Sequence, residues 1–152
     1  IYLILDNIRS VHNVGSIFRT AETIGVTKIY CVGATPTPID RFNRKRKDFA
    51  KVALGAEDLV PWEYSDQPIA LAERLKKEGF QIIAVEQTAS SIDYRKVKVN
   101  RKTAVVFGNE VEGVSKPLLK LADMVAEISL KGKKESLNVS VAAGISLFAF
   151  FE

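Results

Sequence analysis

Ala104-Val105-Val106-Phe107-Gly108-Asn109-Glu110-Val111-Glu112-Gly113-Val114-Ser115 is the stretch that decides the fold. Its first four residues are apolar without alternation, the pattern of a strand buried on both faces, as in parallel sheets covered by helices. The strand opens into a Gly-bounded loop, and a short helix follows from Ser115 through Pro117 to Leu121, Pro being tolerated in a first turn. Similar apolar runs occur at Tyr2–Leu5, Ile29–Val32, Ile82–Val85 and Val125–Ile128. Helical patterns lie between them. Val14, Ile17, Phe18, Ala21 and Ile24 form one stripe, with Gly25 placed to end that helix. A second helix runs through Leu71, Ala72 and Leu75 to Gly79, and the last begins near Ser136 and continues to the C-terminus. Strand and helix alternate, so the expected class is α/β with a mostly parallel sheet flanked by helices, in one domain over residues 1–152.

Composition removes several classes of function. The 152 residues carry 22 Lys plus Arg against 18 Asp plus Glu, a net charge of +4. Arg41, Arg44, Lys45, Arg46 and Lys47 put five positive charges into seven residues; taking those five from the 22 leaves 17 basic against 18 acidic residues. The basic excess is therefore a patch, which points to an anionic partner or to a solvated charged loop. Cys31 is the single cysteine and His12 the single histidine. No intrachain disulfide, Cys-rich zinc cluster or Ser–His–Asp triad can be assembled from them, and no metal site is expected. The longest uncharged stretch, 136–151, is shorter than the ~18 residues of a membrane span. With no visible leader, cytoplasm is the default location, although Ile1 already lies in a strand-like run and an upstream segment is either absent or removed.

In an open α/β sheet, ligands bind beyond the carboxyl ends of the strands. Three Gly-, Asn- and Ser-rich segments follow strands here: 6–19, 106–115 and 128–140. In the first, Asn13 reads as an N-cap, Gly15 allows close backbone approach, and Arg19 lies off the apolar stripe; a capped helix with a surface Arg explains these equally well. In the second, Gly108 and Gly113 have P-loop spacing, but Val114-Ser115 stands where Lys-Ser is required, and Glu110 and Glu112 would repel a triphosphate. That loop suits a ligand that is neutral or cationic where it meets the loop. In the third, Ser136, Asn138 and Ser140 begin a helix that is apolar nearly all round. Simple capping accounts for them, and the helix should be buried, against a second subunit as well as its own sheet.

The three segments together resemble motifs one, two and three of the SpoU-type (TrmH-like) RNA 2′-O-ribose methyltransferases of the SPOUT superfamily. Asn13, Gly15 and Arg19 carry the first; Gly108, Asn109, Glu110 and Gly113 the second; Ser136, Leu137, Asn138 and Ser140 the third. The resemblance implies S-adenosyl-L-methionine as methyl donor, tRNA or rRNA as substrate, a homodimer, and a trefoil knot in the C-terminal backbone. It implies a donor site made by Gly108, Asn109, Gly113, Ile128, Leu130, Ser136 and Leu137, closed on one side by Glu86, Gln87 and Thr88. It places Arg19 at the reaction centre with Asn13, Glu110, Asn138 and Ser140 around it. A guanidinium stays protonated in proteins, so Arg19 is expected to hold a phosphate or stabilise the developing alkoxide, with Glu110 orienting it through a bidentate pair.

In this setting Arg9, Arg41, Arg44, Lys45, Arg46 and Lys47 become candidate RNA contacts. In the second basic stretch, 95–102, Lys96 and Lys98 alternate with Val97 and Val99, the pattern of a strand's solvent face. His12 reads as structural or as a ribose contact, Cys31 as a core residue, and Trp62 and Tyr64 as core or dimer contacts rather than base-stacking groups. The alternative function is a catalytically inactive RNA-binding or donor-binding protein on the same fold. A Rossmann-type enzyme would need a Gly-rich loop after the first strand, and 6–13 offers none.

Overall fold

The computed structural model describes residues 1–152. Its strands are β1 (Tyr2–Asp6), β2 (Lys28–Val32), β3 (Trp62–Ser65), β4 (Gln81–Val85), β5 (Ile92–Asp93), β6 (Thr103–Gly108) and β7 (Met124–Glu127). Its helices are α1 (Val11–Ile24), α2 (Lys47–Ala53), α3 (Ala56–Leu59), α4 (Pro68–Lys77), α5 (Lys116–Leu121) and α6 (Val139–Phe151). All seven strands form one sheet in the order β3-β2-β1-β6-β4-β7-β5, and every pairing is parallel.

The register explains why the central strands read as unbroken apolar runs. Leu3 lies opposite Ile29 and Val105, and Val105 opposite Ile83; these four face the layer formed by α1, α2, α3 and α6. One residue along, Ile4 pairs with Tyr30 and Val106, and Val106 with Ala84, facing α4 and α5. Successive side chains point to opposite faces, and both faces are covered, so the middle positions of the central strands are apolar and polar residues such as Asp6, Lys28, Gln81 and Thr103 are confined to their ends. In the first layer Phe18 of α1 meets Phe49 of α2 edge-on, with ring centroids 5.1 Å apart.

The two edge strands, β3 and β5, and the helices α2 and α3 have no counterpart in the sequence pattern. β3 is half exposed, with Trp62 packed on the core and Tyr64 donating its hydroxyl to the Gly33 carbonyl, so neither alternation nor continuity marks it. Gly25 ends α1 in the left-handed region as expected. Ser10, not Asn13, caps α1: its hydroxyl accepts from the Asn13 amide, which places Asn13 inside the helix with its side chain directed to Glu110 and Asn138 instead of to the backbone. The last helix starts at Val139 with Asn138 as N-cap, later than Ser136. The 95–102 segment is not a strand. Tyr94–Lys96 is a 3-10 turn, and the following chain is irregular, with Val97 and Val99 packed on the core from the loop. Cys31 is fully buried in mid-strand, and burial pushes its thiol up to about 12.

Candidate active site

A cleft of about 290 Å³ opens at the carboxyl ends of β4, β6 and β7. Val85, Phe107, Ile128, Leu130 and Leu137 give it an apolar wall, while Glu86, Glu110, Glu112 and Glu135 are its only charged lining residues. Four carboxylates and no cation make this a site for a small ligand that carries positive charge and has a substantial apolar body.

The loop after β6 is closed on itself. Asn109 and Gly113 exchange both backbone hydrogen bonds, at 3.0 and 2.9 Å. The Asn109 Oδ1 accepts from the Val111 and Glu112 amides at 2.8 and 2.9 Å, while its Nδ2 donates to the Asn7 carbonyl at 2.7 Å. The return of the loop presses its backbone against Gly108. A Cβ there would stand 2.5 Å from the Gly113 carbonyl oxygen and closer still to the Gly113 carbonyl carbon and Val114 nitrogen. Gly108 thus serves backbone packing, not phosphate binding. Glu86 braces the far side, its Oε2 accepting from the Val114 amide at 2.9 Å. The buried Asp6, at the end of β1, accepts from the Ser115 amide at 2.8 Å and holds the start of α5.

A second set of hydrogen bonds joins all three Asn- and Ser-rich segments. The Glu110 carboxylate accepts from the Arg9 amide at 3.2 Å, the Ser10 amide at 3.1 Å and Asn13 Nδ2 at 3.3 Å. Asn13 Oδ1 accepts from Asn138 Nδ2 at 3.1 Å. Asn138 Oδ1 accepts from the Ser140 and Val141 amides and, at 2.5 Å, from the Ser140 hydroxyl. Burial pushes the Glu110 carboxyl up, but the N–H groups of its own backbone, Ser10, Arg9 and Asn13 outweigh it and hold it below its ordinary value. Those amides lie at the α1 N-terminus, where the helix leaves N–H groups unpaired and favours negative charge.

Gly108, Asn109, Gly113, Ile128, Leu130, Ser136, Leu137, Glu86 and Gln87 all line the cleft. Thr88 does not: it turns away to bond Ser91, whose hydroxyl ties it to Glu127. Glu110 lines the cleft, while Asn13, Asn138 and Ser140 stand behind it in the linked set. Arg19 is exposed on α1, outside the cleft, and no carboxylate pairs with it; Glu110 spends its oxygens on the α1 amides and Asn13 instead. Arg9 is exposed beside them. The basic run is less positive in space than in sequence, because Arg44 pairs with Asp40, Lys45 with Asp58 and Arg46 with Asp48, leaving Arg41 and Lys47 unpaired. Val85, Phe107, Val111, Glu112, Glu135, Val139 and Ala142 also line the cleft, beyond the residues that the three motifs point to. Glu135 is exposed and borders Ser136 in sequence, and the course of the 128–138 chain brings it to the cleft.

A family model described as the SpoU rRNA Methylase family matches residues 1–148. The chain belongs to this family. It is 34% identical over 143 residues to the tRNA (guanosine(18)-2′-O)-methyltransferase of Aquifex aeolicus, covering 94% of this chain and 64% of that protein. This SpoU-family fold superposes with a TM-score of 0.85 on the crystal structure of the A. aeolicus TrmH/SpoU tRNA modifying enzyme, at 32% identity, covering 97% of this chain and 72% of that one. It is similar at TM-score 0.84 to the AdoMet-bound rRNA methyltransferase of Sinorhizobium meliloti, at 28% identity, covering 97% of this chain and 54% of that one. The SpoU-family chain thus spans 64% of the length of the A. aeolicus methyltransferase. No helix in it is long and apolar enough to cross a membrane.

Proposed function

We propose that the chain is the catalytic core of an RNA methyltransferase that moves a methyl group from S-adenosyl-L-methionine to a ribose 2′-OH of tRNA or rRNA. The observation that carries this reading is the four-carboxylate, apolar-walled cleft bound through Glu110 to the Asn13–Asn138 set. The donor's sulfonium and amino group outnumber its one carboxylate, so it is net cationic; its adenine face suits the apolar wall, and its ribose hydroxyls and adenine edge can hydrogen-bond loop backbone and carboxylate groups. The names of the similar proteins support the same assignment.

Bound there, the donor supplies an electrophilic methyl on a positively charged sulfur. Gly108, Asn109 and Gly113 would offer it backbone groups. Ile128, Leu130, Ser136 and Leu137 would cover it from the 128–137 chain, with Glu86 and Gln87 along the edge. Glu110, Asn13, Asn138 and Ser140 would hold the three loops in one geometry, so that the 2′-OH meets the methyl in line; such positioning is worth up to ~7–11 kcal/mol of a barrier. Arg19, free of any carboxylate, has its N–H donors available for the phosphate beside the target ribose or for the developing alkoxide. Arg9, Arg41, Arg44, Lys45, Arg46 and Lys47 would contact the RNA backbone, where surface ion pairs worth ~0–1 kcal/mol yield readily to phosphate.

To this reading also belong a single domain over residues 1–152, the trefoil knot in the C-terminal backbone, operation without a metal, and a cytoplasmic location. A homodimer belongs to it as well, formed on the exposed apolar stripe of Val141, Ile145 and Phe148 on α6.

The test is incubation with methyl-labelled donor and bulk RNA from cells lacking the activity, followed by mapping of the labelled nucleotide. Ribose-methylated tRNA or rRNA is expected; label in neither sinks the assignment and leaves a binding protein on the same fold. Arg19→Ala should abolish transfer and leave the donor Kd within about twofold, and a lost donor Kd would remove Arg19 from the RNA side of the reaction.

A further inference from the structure

We propose that Phe42, set between Arg41 and Arg44 on a preformed hairpin tip, is the stacking platform for an unpaired base of the RNA substrate. The proposal rests on the RNA reading above and adds to it the residue that meets a base. A Phe left 62% exposed gives up the burial that its ring would otherwise gain, and here no neighbouring element covers it. The guanidinium carbons of Arg41 and Arg44 lie 4.8 and 4.9 Å from its ring centroid. Both guanidinium groups lie over the exposed ring, and an exposed aromatic carrying such cations is the composition that binds single-stranded nucleic acid: a base stacks on the ring in place of a guanidinium, which is released to a flanking phosphate.

The tip is built before any partner arrives. The Arg46 amide donates to the Pro38 carbonyl, the Asp40 amide to Arg44 and the Asn43 amide to Asp40, at 2.8–3.0 Å, with Asn43 in the left-handed region. Asp40 sits under the turn and accepts from the Phe42 and Arg44 amides and from Arg44 Nε. A rigid aromatic presented this way loses little conformational entropy on binding. Arg41 pairs with no carboxylate, so its charge is open to phosphate. The hairpin is rooted beside the active site: Thr35 Oγ1 accepts from the Ile8 amide at 3.0 Å and donates to the Leu5 carbonyl at 2.8 Å, and α2, which follows the hairpin, packs on α1. Arg19 projects from that same α1, so the platform and the reaction centre share one layer of the molecule.

The test uses the full chain with two fluorescein-labelled probes: a mixed-sequence single-stranded RNA of about 12 nucleotides and the blunt duplex of the same strand. Phe42→Ala should weaken single-strand binding about tenfold, leave the duplex Kd within about twofold, and leave the salt slope unchanged, because stacking releases no counterion. Phe42→Trp should restore single-strand affinity and show fluorescence quenching on binding. Arg41→Ala should instead lower the salt slope by about 0.7 on the single strand. Equal affinities for wild type and Phe42→Ala, or an equal loss on both probes, overturn the platform. So does a Phe42→Ala change confined to oligomeric state, which would assign the ring to a protein contact. Wild type that binds neither probe and methylates no RNA removes the RNA reading itself; wild type that does both while Phe42→Ala matches it removes only the platform.

Discussion

Gly108→Ala tests whether the loop over the cleft is held by backbone packing. The added methyl would stand 2.5 Å from the Gly113 carbonyl oxygen and nearer to two further main-chain atoms, against about 3.4 Å for an ordinary contact. No side chain can rotate to relieve it. The 109–113 return must move by about an ångström, which stretches the Asn109–Gly113 pair and the Val114 amide bond to Glu86. Overpacking of this kind costs ~1–3 kcal/mol and each weakened hydrogen bond ~0.5–1.5 kcal/mol. With all three bonds weakened, the expected loss is about 2.5–7.5 kcal/mol, or a Tm lower by roughly 5–30 °C for a chain of this size. Because the moved atoms line the cleft, the donor Kd should rise by at least about tenfold. Gly132, which has nothing within 4 Å of its would-be Cβ and lies in the neighbouring loop, serves as the control, and Gly132→Ala should leave Tm and Kd unchanged. Thermal melts and calorimetric titration with donor read both quantities. A Gly108→Ala protein with wild-type Tm and Kd would refute the packing argument.

Three further outcomes are expected. The Glu110 carboxyl titrates below its unfolded value, so its contribution is fully present above the usual carboxylate pKa of about 4.3 and is lost as pH falls through the folded value. In urea titrations, Glu110→Gln should therefore be less stable than wild type at pH 7, with the gap closing towards pH 3; a gap independent of pH would place the effect elsewhere. Asn13→Asp keeps the acceptor for Asn138 but sets a second carboxylate 3.3 Å from Glu110 Oε1, so it should lose donor affinity at pH 7 and regain part of it near pH 5. Cys31, buried and with its thiol held up at about 12, should resist a thiol reagent at pH 8 in the native protein and react fully in urea. Rapid native labelling would show that β2 opens readily.

The family and most residues of the cleft were legible because they are written locally. Gly108, Asn109, Glu110 and Gly113 lie within six consecutive residues, and their meaning as a closed loop follows from a strand, two glycines and a helix start. Asn13 was misread as a cap because a Ser, Asn or Asp near a helix start satisfies the same local rule, and Ser10 satisfies it first. The Arg19–Glu110 pair failed for a different reason. Opposite charges in two motifs invite pairing, but Glu110 meets the unpaired amides of α1 before any side chain, and backbone donors cost no side-chain entropy to hold. The basic run looked like undiluted charge because Asp58 lies 13 residues away from Lys45 and Asp40 is folded back beneath its own turn.

The amino-acid sequence by itself determined the parallel α/β class, since both faces of each central strand had to be apolar. It also determined the α1 stripe, its Gly25 stop, and the residues gathered at the strand ends. These are one-dimensional signals, set by side-chain period and backbone freedom. Only the tertiary structure decided the strand order, the edge strands and the union of Asn13 with Glu110 and Asn138, which are 97 and 125 residues distant along the chain. Such contacts depend on which elements pack together, and that choice is made by the whole core, not by any segment's own pattern.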